Sequence, residues 1–154
     1  MPVPKSVVRF KKGNLEYISS VDRASYTIVE LTRAAMRDVG KFIARTANSK
    51  AQKLPGLTGH KRVMGRSSTF LYNVPWAKTG LPHLEVGVKH GTWYGADQEM
   101  GTSKQPRRQI LRNSVHDNIA TIIEIESQYL SALESEAAAL SKISEEEYSG
   151  GGED

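Results

Sequence analysis

The sequence predicts an α+β fold, and three observations carry that prediction. Apolar residues recur at steps of three and four from about residue 20 to residue 54. Short stretches rich in β-branched and aromatic residues follow, separated by Gly and Pro links. A second helical pattern then runs from about Arg107 to about Ser144. Together these give a long N-terminal helix packed on a small antiparallel β-sheet, followed by a long C-terminal helix. At 154 residues the chain suits a single domain. The expected division is a flexible basic N-terminal arm at 1–19, one α+β domain at 20–144 and a disordered acidic tail at 145–154.

The arm carries Lys5, Arg9, Lys11 and Lys12, with a turn signal at Gly13-Asn14 between two short strand-like stretches. It suits either a segment that orders on a neighbouring subunit or an unstructured terminus. The first helix begins after a Ser19 or Ser20 cap, with Asp22 favouring its dipole. Its buried stripe reads Ala24, Ile28, Leu31, Ala35, Val39, Phe42, Ile43, Ala47, Ala51 and Leu54, and Pro55-Gly56 ends it. Gly40 is the one weak point, costing about 1 kcal/mol relative to Ala. The next stretch, PGLTGHKRVMGRS, is a loop holding His60, Lys61, Arg62 and Arg66. Those residues suit a DNA passage as well as a solvated loop, and they lack the spacing of a phosphate-binding P-loop. Strands are predicted at Ser68–Val74, Leu84–Val88 and Trp93–Met100, giving an antiparallel meander covered by the first helix. The final helix carries Leu111, Val115, Ile119, Ile122, Ile123, Leu130, Leu133, Ala137, Leu140 and Ile143 on its stripe.

The net charge of +4 hides a strong asymmetry. Residues 1–112 hold 20 Lys and Arg against 7 Asp and Glu, whereas residues 113–154 hold 1 Lys against 10 acids. A basic body with an acidic end fits polyanion contact, self-complementary assembly, or simply a solvated surface. The absence of cysteine excludes disulfides and thiolate metal sites. No apolar run approaches the ~20 residues of a membrane span, and no signal-like core opens the chain. A cytoplasmic site of synthesis and no membrane contact are therefore expected.

No active site emerges. The four histidines His60, His83, His90 and His116 are scattered and lack ligand spacing, so no metal and no cofactor are expected. Glu124 and Glu126 diverge by ~200° around a helix, and no nucleophile elbow occurs. The densest chemistry lies in WYGADQEMGTSKQPRRQILR, residues 93–112. Gly101, Thr102 and Ser103 are turn residues, and Pro106 suits a helix start. Lys104, Arg107, Arg108 and Arg112 gather at the junction. Glu99 is expected to bridge to one of these arginines in a structural turn. Alternatively, Arg107 and Arg108 fork onto carboxylates of another subunit. Glu99, Gly101, Thr102, Lys104, Arg107, Arg108 and Arg112 are thus the candidate interface or turn residues.

This string, with Tyr94, Ala96, Glu99, Gly101, Thr102, Ser103, Lys104, Pro106, Arg108, Leu111 and Arg112, resembles a signature of the tail-completion (minor tail) proteins of long-tailed bacteriophages. That family usually reads Pro-Phe-Leu-Arg-Pro where this chain has Gln109-Ile110-Leu111-Arg112-Asn113; Ile110 keeps an apolar residue in the Phe position. A second, fainter similarity lies at Lys53-Leu54-Pro55-Gly56-Leu57-Thr58-Gly59-His60-Lys61-Arg62, where the family's acidic residue is missing. The resemblance spans roughly Ser20 to Ile123. It implies a non-enzymatic structural protein of the virion, at the head-proximal end of the tail, assembled in the host cytoplasm. It further implies a ring of like subunits, a hexamer, around the DNA passage. Neighbouring tail and head-tail connector proteins are the implied partners, with transient contact to passing DNA. The alternative from charge alone is a small basic nucleic-acid-binding module.

Overall fold

The computed structural model describes residues 8–53, 69–75, 82–104 and 106–150. The loop with His60, Lys61, Arg62 and Arg66 lies outside the described residues, as does Trp76. The fold is α+β: a long N-terminal helix, two small antiparallel sheets and a set of C-terminal helices. Two compact units are distinguished, Met1–Ala34 with Gln128–Asp154, and Ala35–Ser127.

In the first unit, residues expected as a flexible arm form a hairpin of β1 (Val8–Lys12) and β2 (Leu15–Ser19). Gly13 supplies the turn at φ 61°, a conformation that costs glycine little. The register pairs Phe10 with Tyr17 and Lys12 with Leu15. Helix α1 (Val21–Gln52) follows, opening with Ala24 N–H on Ser20 O at 3.0 Å. Its first turns bury Thr27, Glu30, Leu31 and Ala34, a helical spacing read directly from the sequence. Tyr129, Ala132, Ala139 and Ile143 are buried among the described residues of the unit's C-terminal part.

In the second unit, the remainder of α1 presents Ala35, Val39, Gly40, Ile43, Ala44, Ala47 and Ala51 as a buried, mostly small stripe. Small side chains let neighbours approach the helix backbone. Against it lies an antiparallel pair, β3 (Phe70–Asn73) and β4 (Glu85–Val88), with Phe70 opposite Val88 and Tyr72 opposite Val86. Phe70, Ala47, Ala51 and Ile110 form the core, flanked by Val88 and Leu111. Asn48 fixes the sheet to the helix: its Nδ2 donates to Phe70 O at 3.1 Å, and Phe70 N–H donates to its Oδ1 at 3.1 Å. One side-chain amide thereby satisfies both backbone groups of a buried strand residue.

Two expected elements differ. Trp93–Met100 is not a third strand but helix α2, so among the described residues the sheet beside α1 has two strands. Of the α2 residues whose burial is described, Gly95 and Gln98 are buried, three apart, which is helical rather than alternating spacing. Ala96, Gln98, Glu99 and Met100 are good helix formers, and they outweigh the aromatic start. Gly95 also lets Val88 close in, since a Cβ there would lie 2.5 Å from Val88 Cγ1.

The C-terminal helix is likewise not continuous. It is divided into α3 (Ile110–His116), α4 (Ile119–Ser131), a 3-10 turn at Ala132–Glu134, and α5 (Glu136–Gly150). The breaks have local causes. Asn118 Nδ2 donates to Ser114 O at 2.9 Å, and Asn118 O receives Ile122 N–H at 3.0 Å, so Asn118 closes one helix and opens the next. Ser135 adopts extended backbone, φ −138° and ψ 127°, and its carbonyl receives Ala139 N–H at 3.0 Å. Both are residue types favoured at helix starts. Helix α5 extends to Gly150, past the expected end near Ser144.

Gly40 gives the sharpest stability prediction. A Cβ there would sit 2.7 Å from Tyr72 Cδ2, 2.8 Å from Tyr72 Cγ and 2.9 Å from Leu84 Cδ1. Helix propensity alone favours Gly40→Ala by about 1 kcal/mol, but overpacking costs about 1–3 kcal/mol. The variant should therefore unfold at lower urea concentration than the parent. A stabilised Gly40→Ala protein contradicts this packing.

Candidate functional site

The junction of α2 and α3 holds every candidate residue of the 93–112 string, and its geometry is set by Glu99 near the end of α2. Helix α3 begins poorly on its own account. Gln109, its N-cap residue, takes a left-handed conformation (φ 52°, ψ 43°) and makes no side-chain cap. Glu99 substitutes for that cap. Its Oε2 accepts Leu111 N–H at 3.0 Å and its Oε1 accepts Arg112 N–H at 3.0 Å. A carboxylate on otherwise orphaned N–H groups at a helix start combines hydrogen bonding with a favourable dipole interaction. The expected Glu99–arginine bridge is thus replaced by a bond from Glu99 to backbone. The reason is geometric: the open N–H groups of α3 face the end of α2.

Gly101 makes the reversal possible. It lies at φ 78°, ψ 161°, and its N–H donates to Asp97 O at 2.8 Å. That region of backbone space is essentially reserved for glycine. A Cβ on Gly101 would also approach Arg107 N to 2.9 Å. Thr102 Oγ1 accepts Lys104 N–H at 3.3 Å, a local hydroxyl turn. Arg108 N–H donates to Gln98 O at 3.0 Å, which joins the incoming segment to α2. Pro106 is exposed and lies four residues ahead of α3 rather than at its first position.

The cations are arranged around this frame. Arg107 wraps onto its neighbour: with the Gln109 amide oriented to match, Gln109 Oε1 accepts from Arg107 Nε at 2.6 Å. Lys104, Arg107 and Arg112 are exposed and Arg108 is half-buried. Backbone N–H groups of Gly101, Lys104, Arg108, Leu111 and Arg112 are thus paired within the junction, while Lys104, Arg107 and Arg112 remain exposed.

The far end of α3 is held by residues that the sequence did not single out. Lys50, in the last turn of α1, donates to Asn113 O at 3.1 Å and to Asp117 Oδ2 at 2.7 Å. An ammonium at a helix C-terminus is favourable for the same dipole reason that a carboxylate is at the N-terminus. The hydrogen bond from Lys50 holds the Asp117 carboxyl below the usual aspartate range. The charges of Lys50 and His116 add to this, and partial desolvation opposes it.

The described histidines His83, His90 and His116 do not converge. His83 Nε2 meets Glu85 Oε1 at 3.2 Å, and His116 stands 3.9 Å from Asp117. Among the described residues no group of three or more His, Asp or Glu is placed to hold a metal ion. Nor is any helix among them long and apolar enough to cross a membrane.

No family model, curated protein or solved structure matches this chain. Its residues are therefore read on their own geometry.

Two outcomes test this geometry. Glu99→Ala removes both acceptors at the start of α3 and should cost about 0.5–2 kcal/mol, as loss of a helix cap does. Glu99→Gln, which keeps one acceptor, should lie between the two in urea midpoint. Equal midpoints for all three proteins contradict the capping role. For Asp117, a depressed carboxyl contributes stability that is present above the usual aspartate range and lost as pH falls through its lowered value. Lys50→Met should therefore raise the Asp117 titration midpoint, read by NMR. An unmoved midpoint contradicts the Lys50 contact.

Proposed function

We propose that this chain is a structural, non-enzymatic component of a phage tail, completing the tail at its head-proximal end as a ring of like subunits around the DNA passage. One observation carries the reading. The residues of the Glu99-x-Gly-Thr-Ser-Lys string that resemble the tail-completion signature are committed to building a turn. Glu99 caps α3, Gly101 permits the reversal and Thr102 holds the loop. Glu99, Gly101 and Thr102 are thus spent on the turn, and Lys104 beside them is exposed. That arrangement suits contact with neighbouring subunits, connector proteins or the passing DNA.

Charge supports the same reading. Basic surface on one part of the chain and acidic surface on another lets identical copies attract one another in a directional way. Cations that face a DNA passage must be few, because tight phosphate binding would stall the duplex. A hexamer is the proposed symmetry.

The second reading is a basic nucleic-acid-binding module, favoured by the 20 cations against 7 acids of residues 1–112. Affinity of that kind would fall steeply with salt.

The test is location. The labelled chain should appear in purified tailed particles as a ring at the head-proximal end of the tail. Absence from every particle, together with salt-sensitive binding of duplex DNA in extracts, would overturn the tail reading in favour of the module.

A further inference from the structure

We infer that the exposed face of α4 is a docking surface, and that its occupant is the N-terminal hairpin of a second copy of this chain. The inference rests on the ring reading and deepens it by naming a contact between like subunits.

Helix α4 keeps an apolar strip in solvent. Ile119 and Ile123 are 49% and 58% exposed, and Glu126 is exposed beside them. Steps of four and three put these residues within ~60° of arc on the helix surface. An apolar strip with a single carboxylate sets two conditions on whatever covers it. The isoleucines need apolar side chains, and Glu126 needs a cation, because burying an unpaired charge is costly. A second α4 fails the second condition. In parallel register it brings Glu126 onto Glu126, and centred antiparallel it brings Glu126 onto an isoleucine.

The hairpin meets both conditions. Its register sets Phe10 opposite Tyr17 and Lys12 opposite Leu15, and strand alternation puts all four on one face. Phe10 and Tyr17 are 64% and 61% exposed, and Leu15 and Lys12 are exposed with them. This face is the converse of the strip on α4, apolar with one cation against apolar with one anion. The spacing agrees as well. On both surfaces the charge lies ~7 Å along the element from the middle of the apolar pair, given the rise per residue of a strand and of a helix. Neither Lys12 nor Glu126 is ion-paired with a described residue.

The hairpin also gains from being covered, since a lone two-stranded hairpin is marginally stable in water. A nucleic acid would suit its cations but would leave the α4 strip open, whereas a second copy satisfies both surfaces at once. Each copy has one hairpin and one α4, so the contact is head-to-tail. Repetition of such a contact closes a ring when the rotation permits.

The chain has no cysteine, so introduced thiols report the contact. Full-length Phe10→Cys and Ile123→Cys proteins are mixed under mild oxidation, and the products are read by non-reducing gel and mass spectrometry. Tyr17→Cys serves as a second hairpin position, and exposed His83→Cys as the control partner. The expected result is a mixed disulfide between hairpin and α4 variants, well above the control. Its yield should fall several-fold when Lys12→Glu is added to the hairpin variant, and return when Glu126→Lys is added to the α4 variant. Three results would overturn the proposal. One is no mixed disulfide above control for either hairpin position. Another is a yield that neither charge reversal moves. The third is closure within a single chain of the Phe10→Cys/Ile123→Cys double variant, which makes the occupant the chain's own hairpin. A head-proximal ring without the cross-link removes this contact but keeps the tail reading. The cross-link in a chain absent from every particle does the reverse.

Discussion

The second unit depends on the two hydrogen bonds by which the Glu99 carboxylate caps α3. Loss of a helix cap costs about 0.5–2 kcal/mol, and α3 begins at a left-handed residue that offers no cap of its own. Seven residues of helix have little intrinsic stability. Held by Glu99 at one end and Lys50 at the other, α3 keeps Ile110 in the core beside Phe70, Ala47 and Ala51. The Gly101 turn, the α2 helix and the outward cations all follow from the need to bring Glu99 to that position.

A second constraint comes from α1. Its Ala and Gly positions admit Tyr72, Leu84 and Phe70 close to the helix backbone. With so little side chain on the helix, packing relies on the neighbours' larger residues and on specific polar fasteners such as Asn48. A glycine that looks like a weakness in the helix is, in the packed unit, the space into which an aromatic ring fits.

These two constraints explain what was legible in the sequence. The bounds of α1 and the places of β3 and β4 follow from long periodicity and from β-branched content, which burial reinforces. Trp93–Met100 was misread because its aromatic start suggests a strand, while the spacing of Gly95 and Gln98 that decides the matter becomes visible only with burial. The partner of Glu99 was misread for a related reason. Four nearby cations suggest an ion pair, but backbone N–H groups twelve and thirteen residues away leave no mark on composition. The breaks at Asn118 and Ser135 had a signal in their residue types, hidden beneath a hydrophobic stripe that continues across them. Lys50 and Asn48 had none, since a lysine in a last turn and an asparagine beside alanines are ordinary.

The functional reading takes its force from how the motif residues are used. Residues that form a rigid frame and leave positive side chains exposed suit an assembly element. A catalytic loop would instead need polar groups free to meet a substrate. Native-state hydrogen exchange of the Leu111 and Arg112 amides tests this most directly. The account predicts that both exchange together and only through large-scale opening of the unit, as core amides do. Exchange of either at the rate of an open loop would mean that Glu99 does not hold α3, and would contradict the reading of this junction as a fixed structural turn.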